Sequence, residues 1–554
     1  MRRLLAALVA GSLVLGVGSV VGADAKDVAQ AYPVPPDRVF QLRGHGYGHG
    51  HGMSQYGARG AAREGLTWKQ ILAFYYPGTT LATTADEIRV LISADTSQDV
   101  VVGFEDGLSI RDRSTGTTYT LPAKAGATRW RLNPSGAKNV AGWYDGSWHA
   151  WKTFAGDAEF FAPGKALTLV LPSGTRTYRG ALRAAAPTQG SSSRDTVNVL
   201  SIDDYLKGVV PAEMPPTWEK AAVRAQAVAA RTYAAWSRAV RINGSWQICD
   251  TTSCQVYGGV RSEHADANAA IEYTAGQILT YGDKPAFTQF SSSSGGWTSA
   301  GSAPYLVSQA DPYEASSGNP YTNWSVAISA AAIEKAYPIG SLLQVLVTSR
   351  EGGGDWQGRV QAITLDGDEG DVVVSGDSFR SRFGLRSTYF TFGDSAIIVR
   401  WRKIGAEASV VGALTGTERT IPGGAAQDFA KGAIYWSTNF GAREMYGPIL
   451  GLYRSLKESA HPLGVPRSVV QKRRPDGARV LFADGVAFTK PGVGTAALTG
   501  AIADRYLAEG GIRSALGWPV RGNFTTTKGE RARFQKGYIA WNRATGATKV
   551  VIRQ

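Results

Sequence analysis

The sequence predicts a multidomain α+β protein with a repeat array at its carboxyl end. Three observations lead to this fold class. Short alternating runs separated by Gly, Ser, Asp and Pro fill residues 86–190 and indicate a β-rich subdomain. An alanine-rich stretch from Trp218 to about Val240 has the composition of a buried helix. Similar segments recur between residues 425 and 554, and 554 residues are too many for one hydrophobic core.

The amino terminus has the pattern of a secretory signal peptide. Two arginines precede an apolar run from Leu4 to about Val21, and small residues follow it. The alternative is an uncleaved membrane anchor, because the run is near the lower length limit of a spanning helix. We expect a signal peptide over residues 1–25 and a proline-containing linker over residues 26–43.

The charge and the cysteines fit an exported protein. The net charge of +14 comes from scattered residues, so we expect attraction to acidic wall polymers and no nucleic-acid partner. Cys249 and Cys254 are the two cysteines, and in an oxidising compartment they predict one local disulfide. A two-cysteine metal site is the alternative, but no histidine lies between or beside them. No cofactor is expected.

The middle of the chain combines strands, helices and a stiffened turn. "VNVL" from residue 197 suits a strand, and "DDYLKGVV" suits a short helix with an acidic start. Glu213 follows in "PAEMPP", where the flanking prolines restrict the backbone. Residues 325–392 then alternate a helical run with strands.

The carboxyl-terminal segments repeat at a fixed interval. Phe429, Phe482 and Phe534 occupy equivalent places, and "HPLGVP" and "SALGWP" lie between the copies. Such a period indicates supersecondary units that bury their faces against one another. The array, residues 425–554, resembles the LGFP repeats of actinobacterial wall-associated proteins, which implies attachment to cell-wall polymers. The alternative is a structural repeat without a ligand.

Several motifs together resemble the SpoIID/LytB family. They are "YLKGVVPAEMPPTW", "AVRAQAVAARTYA", "CQVYGG", "FSSSSGGWT" and "GLRSTYF", and they define a domain over residues 195–395. The segment 44–82, opening with "GHGYGHGHGMSQYGARG", also belongs to the resemblance. In the family this segment usually follows "GLRSTxF", whereas here it comes first. The order suggests a circular permutation, which implies that residues 44–81 pack beside residues 384–392.

The resemblance implies a secreted, cell-wall-associated lytic transglycosylase. Such enzymes cleave peptidoglycan glycan strands between N-acetylmuramic acid and N-acetylglucosamine and leave a 1,6-anhydro sugar. One carboxyl group acts as acid and then as base, and we assign it to Glu213. The alternative is a non-catalytic wall-binding module or amidase enhancer, with an amidase as partner. If the products had reducing ends, a hydrolase with a second carboxylate would be indicated, and Asp250 would be its first candidate.

Other residues of the matched motifs are candidates for substrate binding. The polar and aromatic candidates are Gln255, Tyr257, Ser292, Ser293, Ser294, Arg231 and Tyr233. The histidines His45, His49 and His51 allow three interpretations, which are a zinc site, a glycine-rich turn and imidazoles lining a sugar cleft. The glycines between them and the missing carboxylate or cysteine at ligand spacing favour the sugar cleft over a metal.

Overall fold

The structure is a computed structural model, which describes residues 26–415, 418–437, 439–473 and 476–553. The predicted signal peptide, residues 1–25, lies outside this range. Within it, no helix is long and apolar enough to cross a membrane. The chain divides into two compact units. The first contains His51–Ser291 and Thr298–Gln309, and the second contains residues 26–50, Ser292–Trp297 and the chain from Ala310 onward.

Two sheets form most of the β-structure of the first unit. The six-stranded sheet has the spatial order Trp148–Phe154, Lys138–Tyr144, Arg129–Ser135, Val100–Gly103, Leu167–Leu171, Gly174–Tyr178. The seven-stranded sheet has the order Ile248–Cys249, Glu87–Leu91, Asp195–Ser201, Ala181–Ala185, Ala158–Phe161, Ser109–Asp112, Thr118–Thr120. The second sheet crosses the predicted boundary between residues 190 and 195, so the β-rich segment is not a separate body.

A central helix organises the rest of the first unit. Lys220–Val240 buries 13 of its 21 residues, because its many alanines let other helices approach on several sides. The helices packed against it are Gln55–Arg63, Trp68–Tyr75, Ile202–Lys207, Val210–Glu213 and Ala265–Tyr273. The small sheets are Lys284–Pro285 with Gln277–Tyr281 and Thr80–Thr83, and Phe290–Ser291 with Met53–Ser54. The predicted alanine-rich helix is therefore the scaffold of this unit.

The second unit begins with strands where a linker was predicted. Lys26–Pro33 is the edge strand of a sheet that continues with Leu342–Arg350, Val360–Gly367 and Gly370–Ser375. Val39–Gly44 lies between Trp324–Ser329 and Phe390–Thr391 in another sheet. The linker prediction for residues 26–43 was wrong, because Pro33 is the last residue of an edge strand, a position that tolerates proline, and Pro35 and Pro36 follow it. The helices of this part are Ala330–Ala336, Gly376–Phe383 and Ala396–Lys403.

The predicted repeats each form a four-stranded antiparallel sheet. The first comprises Arg419–Ile421, Gly424–Phe429, Gly432–Trp436 and Arg443–Tyr446. The second comprises Gln471–Arg473, Gly477–Phe482, Gly485–Lys490 and Gly494–Thr499. The third comprises Pro519–Thr526, Gly529–Phe534, Gly537–Asn542 and Thr548–Ile552. Helices Gly447–Ser455 and Gly500–Ala508 connect them, and buried residues of adjacent repeats share one core.

Candidate functional site

Glu213 is held at the end of a short helix. The helix Val210–Glu213 begins with Pro211 near its start, and it ends because Met214 turns to an extended conformation before Pro215. The Met214 N–H bonds the Val210 carbonyl at 3.0 Å and closes the last turn. The backbone around the carboxyl group is therefore restricted on both sides.

The environment of Glu213 favours its protonated form. The side chain is half-buried, and burial raises the pKa of its carboxyl group above the usual range. The Val256 N–H donates to Oε1 at 3.1 Å, which opposes the shift only in part. Burial and then the charge of Glu213 raise the pKa of the Tyr233 hydroxyl. A neutral carboxylic acid can thus persist to higher pH here than at a solvated glutamate.

The segment containing the histidine motif supplies a residue that the sequence analysis missed. Gln55 begins the helix Gln55–Arg63, which Ser54 caps by accepting from the Gly57 N–H at 3.0 Å. Gln55 Nε2 donates to the backbone carbonyl of Glu213 at 3.0 Å. The "MSQYG" stretch of the matched motif was the available signal for this contact. Gln55 therefore ties this motif to the short helix that carries the acid.

Two aromatic residues of the central helix, Tyr233 and Trp236, pack with Phe287 from outside that helix. Tyr233, Trp236 and Phe287 form one cluster, with centroids 5.7 Å apart for Tyr233–Trp236 and 4.1 Å apart for Trp236–Phe287. Tyr233 is half-buried. Of the predicted substrate-binding residues on the central helix, Tyr233 is the one whose hydroxyl is influenced by the charge of Glu213.

Three other predicted substrate-binding residues are internal, which corrects their assignment. Tyr257 is 3% exposed and donates to Asn198 Oδ1 at 2.8 Å. Gln255 is 1% exposed; it accepts from the Tyr205 hydroxyl and donates to the Ala230 carbonyl. Their hydrogen bonds hold the loop that presents the Val256 N–H, so their contribution to the site is indirect.

Arg231 is the third of these internal residues. It is completely buried, and its Nε donates to Asp203 Oδ1 at 2.6 Å. It also donates to the backbone carbonyls of Ile271 and Gln277, both at 3.1 Å. The guanidinium therefore joins three elements of the fold and does not face a ligand.

The predicted serines belong to the second unit, and two of them are also internal. Ser293 and Ser294 are 0% and 1% exposed and donate to the carboxylate of Glu314 at 3.1 and 3.0 Å. Ser294 Oγ also donates to Asp311 Oδ2 at 2.9 Å. These two serines form a buried polar network, which corrects their assignment to sugar binding. Ser292 is half-buried beside them.

The three histidines do not form one cluster within either unit. His45 packs in the second unit, where its ring stacks on Trp356 at 4.5 Å and its Nδ1 lies 2.7 Å from the Thr322 carbonyl. His49 is half-buried in the same unit. His51 belongs to the first unit, with Nδ1 3.4 Å from the Ser299 carbonyl. Over the described ranges, no three His, Cys, Asp or Glu side chains group as a metal site.

The first residues of the motif, around His45, contact the segment 386–390. Gly44 pairs with Phe390 in the sheet, and the His45 N–H donates to the Tyr389 carbonyl at 2.8 Å. The Gly48 N–H donates to the Arg386 carbonyl at 2.9 Å. The first residues of the motif therefore lie against "GLRSTYF", while the permutation itself stays a prediction.

The two cysteines and Asp250 stabilise the loop that leads to Val256. Cys249 and Cys254 form a disulfide. Asp250 is 8% exposed, and its Oδ1 accepts from the Ser93 hydroxyl at 2.6 Å and from the Ser93 N–H at 3.2 Å. This loop is thus fixed to the seven-stranded sheet through strand Ile248–Cys249.

Comparison with known proteins identifies two families. Residues 190–281 match the family described as SpoIID, stage II sporulation protein, and residues 412–459 and 463–514 match the LGFP repeat. Both predicted resemblances are confirmed. An amidase enhancer of Bacillus subtilis is 38% identical over 130 residues, which cover 22% of this chain and 17% of that protein. Stage II sporulation protein D of Bacillus amyloliquefaciens is 30% identical over 219 residues, 36% of this chain and 62% of that protein. The chain thus spans less than two thirds of the length of these relatives.

Proposed function

We propose that this chain, which carries a SpoIID-family segment and LGFP repeats, is an exported peptidoglycan lytic transglycosylase. It cleaves the bond between N-acetylmuramic acid and N-acetylglucosamine, with Glu213 as the acid and then the base. The observation that carries the proposal is the raised pKa of the half-buried Glu213, held by the Val256 N–H within the SpoIID-matched residues.

One carboxyl group can perform both proton transfers of this reaction. Protonated Glu213 gives its proton to the glycosidic oxygen as the bond to the anomeric carbon breaks. The resulting carboxylate takes the proton of the muramyl 6-hydroxyl while that oxygen attacks the anomeric carbon. The products are a 1,6-anhydromuramyl end and a free hydroxyl on the leaving sugar, and Glu213 is protonated again. No second carboxylate is required, which agrees with the internal position of Asp250.

The LGFP repeats would keep the enzyme at its substrate. A tethered enzyme meets wall glycan at a raised effective concentration, and the net charge of +14 adds attraction to acidic wall polymers. Partners are therefore glycan strands at the site of Glu213 and wall polymers at the repeats.

The alternative function is enhancement of an amidase, which the 38% identity to an amidase enhancer favours. The two functions separate in one experiment. Purified glycan strands without stem peptides contain no amidase substrate, so release of soluble fragments from them requires glycan cleavage. If the protein releases nothing from such strands but raises the rate of an added amidase on whole peptidoglycan, the enhancer function is correct.

Replacement of Gln55 by Leu should lower kcat by about fivefold with little change in KM. The variant removes the hydrogen bond that holds the Glu213 carbonyl, and one bond of about 1 kcal/mol corresponds to roughly this factor. Steady-state rates on glycan strands measure both constants. Gln277→Leu, a half-buried glutamine of the same unit, is the matched control. A rise in KM alone would show that Gln55 contacts substrate instead.

Replacement of Tyr233 by Ala should shift the pH dependence of cleavage. Glu213 must be protonated to act as acid, so activity falls as the pH rises through its pKa, and burial keeps that pKa raised. Removal of the ring admits water and lowers the pKa, which moves the alkaline limb of the pH–rate profile to lower pH. Tyr233→Phe keeps the ring and should leave the limb in place. Tyr273→Ala, at an exposed tyrosine, is the control. If the alkaline limb lies at the same pH in all variants, Tyr233 does not help to raise the pKa of Glu213.

A further inference from the structure

A cavity of about 350 Å³ in the second unit shares no residue with the Glu213 site. Its volume is within the range of about 300–1,000 Å³ that small-ligand sites have. The lining comes from the first strand of the unit, the turn at residues 355–358, helix Ala396–Lys403 and the first repeat. We call it the Trp356–Trp401 cavity, after the two indoles that line it.

Its polar wall is buried and ordered by hydrogen bonds. Gln30, Tyr32 and Thr391 are each at most 6% exposed. The Tyr32 hydroxyl lies 3.2 Å from Gln30 Oε1 and 2.9 Å from Thr391 Oγ1. Arg350 lies beneath them, completely buried, and its Nε donates to Gln30 Oε1 at 2.7 Å. Among the residues that the structure describes, Arg350 Nη2 has no hydrogen-bond partner. Arg350 does not itself line the cavity, so it orders the polar wall through Gln30.

The charges of the wall are balanced. Asp394 pairs with Arg43 at 3.5 Å and also with Arg402. Glu418 accepts a hydrogen bond of 2.6 Å from Ser395 Oγ and is attracted by Arg350. Burial raises the pKa of the Glu418 carboxyl group to about 7. The lining therefore offers donors and acceptors but no concentration of one sign of charge, which suits an uncharged polar ligand better than an ion.

Both indoles are fixed at the cavity. Trp401 Nε1 donates to the Gly412 carbonyl at 2.9 Å, and Trp356 stacks on His45. Trp356 and Gln357 both have left-handed backbone conformations, with φ of 55° and 68°, which are costly for residues with side chains. The fold maintains this strain at a residue whose ring stacks on His45 and which lines the cavity.

We infer that the Trp356–Trp401 cavity binds one unit of an uncharged saccharide as a non-catalytic subsite. A sugar presents an apolar ring face and many hydroxyls, which match an indole and a wall of amide, hydroxyl and carboxyl groups. The sugar ring packs on an indole, and its hydroxyls exchange hydrogen bonds with Glu418 and the buried polar groups. This inference does not depend on glycan cleavage by Glu213.

Calorimetric titration of the full chain with soluble sugars tests the inference. The probes are tri-N-acetylchitotriose, for the glycan strand, and a neutral arabinose trisaccharide, for other wall polysaccharides. We expect one of them to bind. Trp356→Ala and the isosteric Glu418→Gln should each raise its Kd by about tenfold, because the first loses stacking and the second loses the hydrogen bonds of the carboxyl group. The Glu418 variant keeps the shape of the wall, and circular dichroism checks the fold of both variants.

Two control variants distinguish this cavity from other sugar sites. Trp148→Ala removes a half-buried indole of the first unit and should leave the Kd unchanged. Glu213→Gln should also leave it unchanged, which separates this result from the fate of the proposed cleavage. The inference is overturned if neither sugar binds at millimolar concentration. It is also overturned if Glu213→Gln raises the Kd and the two cavity variants do not. A third contrary result would be binding of a soluble poly(glycerol phosphate) at the cavity in place of the neutral sugars.

Discussion

Replacement of Glu213 by Gln should lower the rate of glycan cleavage by about 10³-fold, within the range of general acid–base contributions. The amide can neither give a proton to the glycosidic oxygen nor take one from the muramyl 6-hydroxyl. It keeps the size of the side chain and can still accept from the Val256 N–H, so the fold should be unchanged. Initial rates of fragment release from purified glycan strands measure the loss, and thermal unfolding checks the fold.

Glu219→Gln is the matched control for this variant. Glu219 is a half-buried carboxylate six residues away, paired with Arg59 at 3.2 Å and Arg63 at 2.6 Å. Its pairs are partly exposed, so their loss should change stability little and leave most of the activity. A catalytic acid should raise the rate by a factor of about 10² or more. If Glu213→Gln retains more than about a tenth of the wild-type rate, Glu213 is therefore not the acid.

Replacement of Arg231 by Met should destabilise the first unit by about 3 kcal/mol. The change leaves the carbonyls of Ile271 and Gln277 without the Arg231 donors, and Asp203 Oδ1 without its charged partner. Native-state hydrogen exchange of the amides in Lys220–Val240 reports the free energy of opening of this unit. Where the variant is folded, KM for glycan should be unchanged, because Arg231 does not face the substrate.

Arg224→Met on the same helix is the matched control, since Arg224 is half-buried and stacks on Tyr273 at 3.4 Å. This variant should lower the free energy of opening by less than about 1 kcal/mol, which is the scale of a partly exposed cation–π pair. If Arg231→Met raises KM and leaves the free energy of opening unchanged, Arg231 is a substrate-binding residue after all.

The elements with strong local patterns could be predicted from the sequence. The alanine-rich composition predicted the helix that became Lys220–Val240, and the period of the carboxyl-terminal segments predicted the repeats. The strands of residues 26–44 were missed because nearby prolines resemble a linker, while the pairing partners lie about 300 residues away. Local sequence carries no information about such long-range pairing.

The candidate site was predictable only in part for a similar reason. Glu213 lies in a distinctive motif, but motif membership did not show which neighbours face a ligand. Gln255, Tyr257 and Arg231 share those motifs because they hold the loops and helices in place. Gln55 was overlooked because its contact to Glu213 joins residues 158 apart in sequence. Burial and hydrogen-bond partners, which only the fold determines, separate the two classes of residue.

The chemical form of the cleaved end distinguishes a lytic transglycosylase from a hydrolase. Purified glycan strands are digested with the full chain, and the products are identified by mass spectrometry. We expect 1,6-anhydromuramyl ends, lighter by one water than reducing ends, and their absence with Glu213→Gln. Reducing-end products would contradict a transglycosylase and indicate a hydrolase with a second carboxylate. If neither the full chain nor its Glu213→Gln variant releases a product, the protein does not cleave glycan.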